Sequence, residues 1–113
     1  MRRDYRAYLE DIIEAAGAAR EFVAGMDKEE LAKDRRTRDA VVRNLEIIGE
    51  AVKKLPAQMK GDHAEVEWKK IAGLRDILVH DYFGIDMDIV WDIVQNKLPA
   101  LIEQVQRILD ESK

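Results

Sequence analysis

The sequence has no cysteine, which removes disulfides, zinc–thiolate centres and thiol nucleophiles from consideration. It has no basic surplus either: 19 Lys and Arg stand against 23 Asp and Glu, a net charge of −4. Bulk electrostatic binding of nucleic acid is therefore not expected, and any such contact needs a local basic patch. No segment reaches the ~18 consecutive apolar residues of a membrane span. The opening MRRDYRAYLEDIIEAAGAAR scatters charges where a signal peptide would carry an apolar run. The expectation is a cytoplasmic protein that does not engage a membrane. A Gly-rich phosphate loop, a Ser nucleophile elbow, a His-pair metal motif, an internal repeat and β-alternation are all missing as well.

What is present is helical periodicity. The chain has 113 residues, 47% apolar and 37% charged, which suits one globular domain over residues 1–113 with a modest core. Tyr5, Tyr8, Leu9, Ile12, Ile13, Ala16 and Ala19 recur at three- and four-residue steps, with Phe22 and Val23 ending the stripe. Gly25 precedes a polar stretch, MDKEELAKDRRTRD, with at most a turn or two of helix. A second long helix is expected from about Asp39, facing inward with Val41, Leu45, Ile48, Val52 and Leu55 and closed by Pro56. QMKGDH reads as a loop, and Asp62 with Glu65 resembles a capping box for a third helix bearing Val66, Trp68, Ile71, Leu74 and Leu78. Gly84 suits a helix terminator, Asp86 or Asp88 a cap for a fourth helix, and Pro99 a kink or restart within it. The pattern predicts an all-α fold, an antiparallel bundle of four to five helices.

The stretch LRDILVHDYFG, residues 74–84, places Arg75, Asp76, His80 and Tyr82 among apolar neighbours. At about 100° per residue Arg75 and His80 diverge by about 140°, so one helix does not bring them together. Asp76 and His80 share a face, where the carboxylate would orient the imidazole and raise its basicity. The plainer reading is an Arg75–Asp76 surface pairing, a His capping the helix end and a Tyr ring packed over it. The missing convergence would be supplied by a second copy of the helix across a two-fold axis.

Other features are weighed the same way. KDRRTR sets Lys33, Arg35, Arg36 and Arg38 around Asp34. A solvated connector is the plainer account, and a phosphate-contacting patch is the functional one. Arg2, Arg3 and Arg6 form a second, less specific basic group. Glu46 and Glu50 share a helix face, but the following Lys53 and Lys54 make ordinary surface pairing the cheaper account. Gly49 in mid-helix marks a close helix–helix approach. His63 looks incidental, and Trp68 and Trp91 read as core or interface.

Arg75–Tyr82 resembles the R-x-x-x-x-H-x-Y signature of HepT-like toxins in the HEPN superfamily. DRRTRDAVVRNLEIIGEAVKKL is similar to that family's second-helix pattern, WKKIAGLRDILVHDYFGIDMDIVW to its motif segment, and LPALIEQV to its ending. The resemblance spans nearly the whole chain. It implies a homodimer with a ribonuclease site between protomers. Arg75 would bind the scissile phosphate, His80 would act as general acid or base, and Asp76 would orient His80. It implies no metal and no cofactor. It further implies an RNA substrate (tRNA or mRNA) and a partner nucleotidyltransferase of the minimal MNT type. That antitoxin would silence the toxin by AMPylation of Tyr82, in an assembly that extends to a larger hetero-oligomer. Lys33, Arg35, Arg36 and Arg38 are the RNA-contact candidates. The alternative is a non-catalytic helical partner of such a nucleotidyltransferase.

Overall fold

Asp4 opens the first helix, α1 (Tyr5–Phe22), by accepting the Arg6 backbone N–H at 3.0 Å and its guanidinium at 3.1 Å. A computed structural model describes residues 4–78 and 86–112 of the chain, with Arg75 and Ile77 as backbone alone. The buried face of α1 is Leu9, Ile12, Ala15, Ala16 and Ala19, and its small second half lets another helix approach closely. Phe22 does not end this stripe: it is 47% exposed, and Val23, one helical step beyond Ala19, takes the buried place. The chain then turns at Gly25, whose φ of +81° is open to glycine but strained for other residues.

α2 (Lys28–Lys33) is a turn or two of helix, as the polar stretch predicts. Asp27 and Glu30 form its capping box, with reciprocal side-chain to backbone bonds of 2.8 and 3.0 Å, and Leu31 plugs it into the core. α3 (Arg35–Lys54) starts before Asp39, because Asp34 accepts the Thr37 N–H at 3.0 Å and its hydroxyl at 2.8 Å. Its charged first turn carries no apolar rhythm and so escapes the periodicity. The helix ends just before Pro56, with Val41, Leu45, Ile48 and Val52 buried as expected.

QMKGDH is not a loop. Residues Ala57–Asp62 form α4, started by Pro56 and anchored by buried Met59. The Asp62–Glu65 capping box does not form either: Asp62 closes α4, and α5 (Trp68–Ala72) follows Glu67 with no side-chain cap. The turn between them is held by Trp68 Nε1, which donates to the His63 carbonyl at 2.9 Å. His63 is thus structural through its backbone, while its Nδ1 lies 3.7 Å from Glu65 Oε1.

The third helix is not continuous. It breaks at Gly73, whose N–H bonds back to Lys69 at 3.2 Å, and resumes as α6 (Leu74–Leu78) with Asp76 N–H bonded to the Gly73 carbonyl at 3.0 Å. Asp86, as expected, caps α7 (Met87–Asp92), accepting N–H groups of Asp88 and Ile89 at 2.9 and 3.3 Å. A π-helical turn over Ile93–Lys97 joins α7 to α8 (Leu98–Glu111) as one rod. Pro99 sits in the first turn of α8; the wider π-helical turn before it accommodates a ring, and a missing N–H, that a regular helix interior would not. This is the restart that Pro99 predicts.

The core lies where α1 packs on α3 and α8 covers α1, with α5 and α6 against α3. Tyr5 and Ser112 share a hydroxyl hydrogen bond at 3.3 Å, so α8 ends where α1 begins and the two run antiparallel. All regular structure among the described residues is helical, as the all-α expectation requires. The segments outnumber the four or five predicted because short α2 and α4 fill connections and the third helix splits. Among the described residues no polar or charged side chain is buried, and no helix is long and apolar enough to cross a membrane.

Candidate functional site

Arg75 and Asp76 lie on α6, a short helix set on the core by its neighbours. Leu74 and Leu78, four apart, are 7% and 1% exposed and form its buried side. Asp76, about 200° around the helix from Leu74, is exposed. α6 is seated on α3 at Gly49: a Cβ there would stand 3.2 Å from the Ile71 carbonyl, 3.6 Å from that of Ala72 and 3.9 Å from Leu74 Cβ. The close approach predicted for Gly49 is therefore made to the joint between α5 and α6. His80, Tyr82 and Gly84 lie outside the described residues, as do Arg2 and Arg3. The expected pairing of Asp76 with His80 falls there too.

The basic run is a helix start rather than a connector. Asp34 both ends α2 and caps α3. Hydrogen bonds from the Thr37 backbone and hydroxyl, then the nearby Arg36 charge, hold its carboxyl below the usual carboxylate range. Lys33, Arg35 and Arg36 are exposed. Arg35 approaches Asp39 at 3.8 Å across one turn, both largely in solvent. Arg38 differs from the others: its guanidinium donates to the Ala32 carbonyl at 3.0 Å and ties α3 to α2. Three of the four candidates thus present cations to solvent, and the fourth is engaged in the fold. Basic residues in a helix's first turn oppose its dipole, so the exposed charges of Arg35 and Arg36 do not stabilise α3 by that route, whereas Arg38 holds it through the bond to Ala32.

Beside α6 a groove of about 400 Å³ runs between α5 and α8, floored by Ile71, Leu74, Ile93 and Leu101. On its rim Lys70 donates to Glu67 at 2.7 Å. That hydrogen bond, the Lys70 charge and then Lys97 hold the Glu67 carboxyl below its ordinary value. Glu50 pairs with Lys53 at 3.6 Å, the surface pairing expected of that stretch. Trp68 is buried and Trp91 packs partly against the core. Among the described residues no group of three or more His, Asp or Glu is placed to hold a metal ion.

A family model described as Ribonuclease HepT-like matches residues 12–108, from the second turn of α1 to the last turns of α8. The chain belongs to the HepT-like ribonuclease family. It is an endoribonuclease of the HEPN type, and its substrate is RNA. A protein of Methanocaldococcus jannaschii named as a candidate RNase is 44% identical over 110 residues, covering 97% of this chain and 91% of that relative. A candidate RNase of Caldanaerobacter subterraneus is 44% identical over 108 residues, 96% of each chain. The protein named probable ribonuclease HepT of Thermococcus cleftensis is 40% identical over 108 residues, 96% of this chain and 98% of the relative. No solved structure matches the chain.

Proposed function

We propose that this chain acts as a single HEPN-like domain, a metal-independent endoribonuclease toxin of a toxin–antitoxin pair. Arg75 and His80 are its catalytic residues and Asp76 its supporting acid. The observation that carries the reading is the family match across residues 12–108, which includes the whole Arg75–Tyr82 motif. The guanidinium of Arg75 offers several donors in a fixed fork and stays charged, which suits the scissile phosphate. His80 takes the proton from a ribose 2′-hydroxyl as that oxygen attacks phosphorus, or returns one to the leaving 5′-oxygen. The products are a 2′,3′-cyclic phosphate and a free 5′-hydroxyl.

Two physical arguments support a homodimer with the site between protomers. Five residues apart, Arg75 and His80 would diverge by about 140° on an ideal helix, and an isologous interface would bring both residues of both copies together. Asp76 is also exposed on its protomer, and no described polar side chain is buried. The dry surroundings that strengthen such chemistry therefore call for a second body. The exposed Lys33, Arg35 and Arg36 supply phosphate contacts that an acidic chain otherwise lacks.

The toxin is held in check by a minimal nucleotidyltransferase, the antitoxin, which transfers AMP to Tyr82. A phosphodiester there adds negative charge and bulk two residues from His80, repelling RNA phosphate. The pair works in the cytoplasm. Family membership favours this reading over a non-catalytic partner of the same transferase.

The test is direct. Unmodified protein incubated with bulk tRNA or total mRNA in EDTA should leave 2′,3′-cyclic phosphate ends, and His80→Ala should abolish cleavage while remaining folded. Persistent failure of unmodified protein to cut either RNA pool would sink the proposal. Expression without the partner should arrest growth, and His80→Ala should relieve it. Mass spectrometry of Tyr82 peptides from cells holding the partner should show an added AMP.

A further inference from the structure

We infer that Gly49 is a positioning residue for RNA cleavage, setting how deeply the helix that carries Arg75 sits on α3. The inference rests on Arg75 belonging to the site, as proposed above. Glycine is disfavoured inside a helix relative to alanine, yet Gly49 lies buried in the middle of α3. The space it leaves is used. A β-carbon would meet the Ile71 carbonyl at 3.2 Å, tighter than ordinary van der Waals contact, and the Ala72 carbonyl at 3.6 Å. Both oxygens belong to the last turn of α5, and the third neighbour, Leu74 Cβ at 3.9 Å, opens α6.

The character of these neighbours decides the consequence. A backbone carbonyl cannot swing aside as a side-chain tip can, so an added methyl displaces the joint by a few tenths of an ångström. Leu74 and Leu78 hold α6 to the core along its buried side. The displacement therefore passes into α6 at Leu74, one residue before Arg75. Gly17, in α1, provides the contrast, since a β-carbon there meets nothing within 4 Å. One glycine is a spacer under the motif helix and the other is not.

The experiment uses full-length protein and a labelled RNA drawn from whichever pool the wild type cuts, read as single-turnover rates across enzyme concentrations. Gly49→Ala should lower the maximal rate by about threefold to tenfold, since a misplacement of about 1 Å can cost about a hundredfold and this one is a few tenths of that. The half-saturating enzyme concentration should hold and helical circular dichroism should be retained. Gly17→Ala should leave both rate and half-saturation at wild-type values. The deciding measurement is a double-mutant cycle: in an Arg75→Ala background Gly49→Ala should cause no further loss, because it acts through Arg75.

A wild-type rate in Gly49→Ala would overturn the inference. So would a loss that multiplies with that of Arg75→Ala, or a collapsed fold. A wild-type rate in Arg75→Ala would overturn the site assignment and this inference with it. A deficient Arg75→Ala with multiplicative losses would overturn the inference alone.

Discussion

The two ends of α3 are built by different physics. Its first turn is charged and wet. Asp34 caps it, Arg38 is tied back to Ala32 at 3.0 Å, and Lys33, Arg35 and Arg36 stay in solvent. Its second half is dry, with Leu45, Ile48 and Val52 fully buried and Gly49 pressed against the backbone that leads to Arg75. One end is defined by polar side chains that satisfy backbone groups, the other by apolar side chains and an absent one. In the proposed enzyme this separates two tasks. The wet end attracts RNA through charge, and the dry end fixes the depth of the helix that carries the chemistry. Substitutions should separate the same way, binding at one end and rate or stability at the other.

The largest effect is expected at the dry end. Leu45 is fully buried in α3, and Leu45→Ala should lower unfolding free energy by about 2–5 kcal/mol, the transfer loss plus the cavity left behind. Urea denaturation should show an earlier midpoint with an unchanged slope. RNA affinity of the fraction that stays folded, and its salt dependence, should be those of the wild type. A loss below 1 kcal/mol would break the comparison, because the buried half would then not be holding the bundle.

The dry end was also the legible one. Val41, Leu45, Ile48 and Val52 repeat at helical steps, Pro56 stops them, and Gly49 announces a close approach by its cost. Periodicity reports buried faces, so elements without a face stayed hidden. α4 buries only Met59, and the first turn of α3 carries arginines, a threonine and one cap. Phe22 is apolar but stands at the last residue of α1, off its buried face, a position that hydrophobicity alone does not reveal. The break at Gly73 is silent in the sequence for a related reason: apolar residues on both sides keep the stripe in phase across it. The candidate site is a different case. Spacing alone leaves Arg75 and His80 apart, and their proposed grouping rests on several blocks matching a family in order. The convergence between copies proposed above would leave no trace in the spacing within one chain.

The wet end is tested by removing its cations. Lys33→Gln, Arg35→Gln and Arg36→Gln together should weaken binding of single-stranded RNA about tenfold near physiological salt. The magnitude of the log–log salt slope should fall by about 2, as three phosphate contacts on a single strand imply. Melting temperature should barely move, since the Arg35–Asp39 pair is exposed and such pairs contribute little. Arg38→Gln should do the reverse: a lower melting temperature from the lost bond to Ala32, with the salt slope kept. Fluorescence anisotropy across a salt series reads both. An unchanged slope in the triple variant would mean that the patch does not meet RNA.

The smallest effect separates charge from capping at Asp34. Its carboxyl accepts the Thr37 N–H and hydroxyl and lies near Arg36, and these hold its pKa below the ordinary value. A depressed folded pKa means that the ionised group stabilises the fold above the unfolded pKa, about 4. That contribution is lost as pH falls through the folded value. Asp34→Asn keeps an acceptor for the Thr37 N–H but replaces the charge, and the oxygen that accepts the Thr37 hydroxyl, with an amide nitrogen, whereas Asp34→Ala removes every acceptor. At neutral pH Asp34→Ala should melt a few degrees below wild type, with Asp34→Asn between them. As pH drops below about 4 the wild type should fall towards Asp34→Asn, while the gap between Asn and Ala, a hydrogen-bond difference, persists. A wild-type advantage over Asn that survives full protonation would mean that geometry, not charge, holds the wet end of α3.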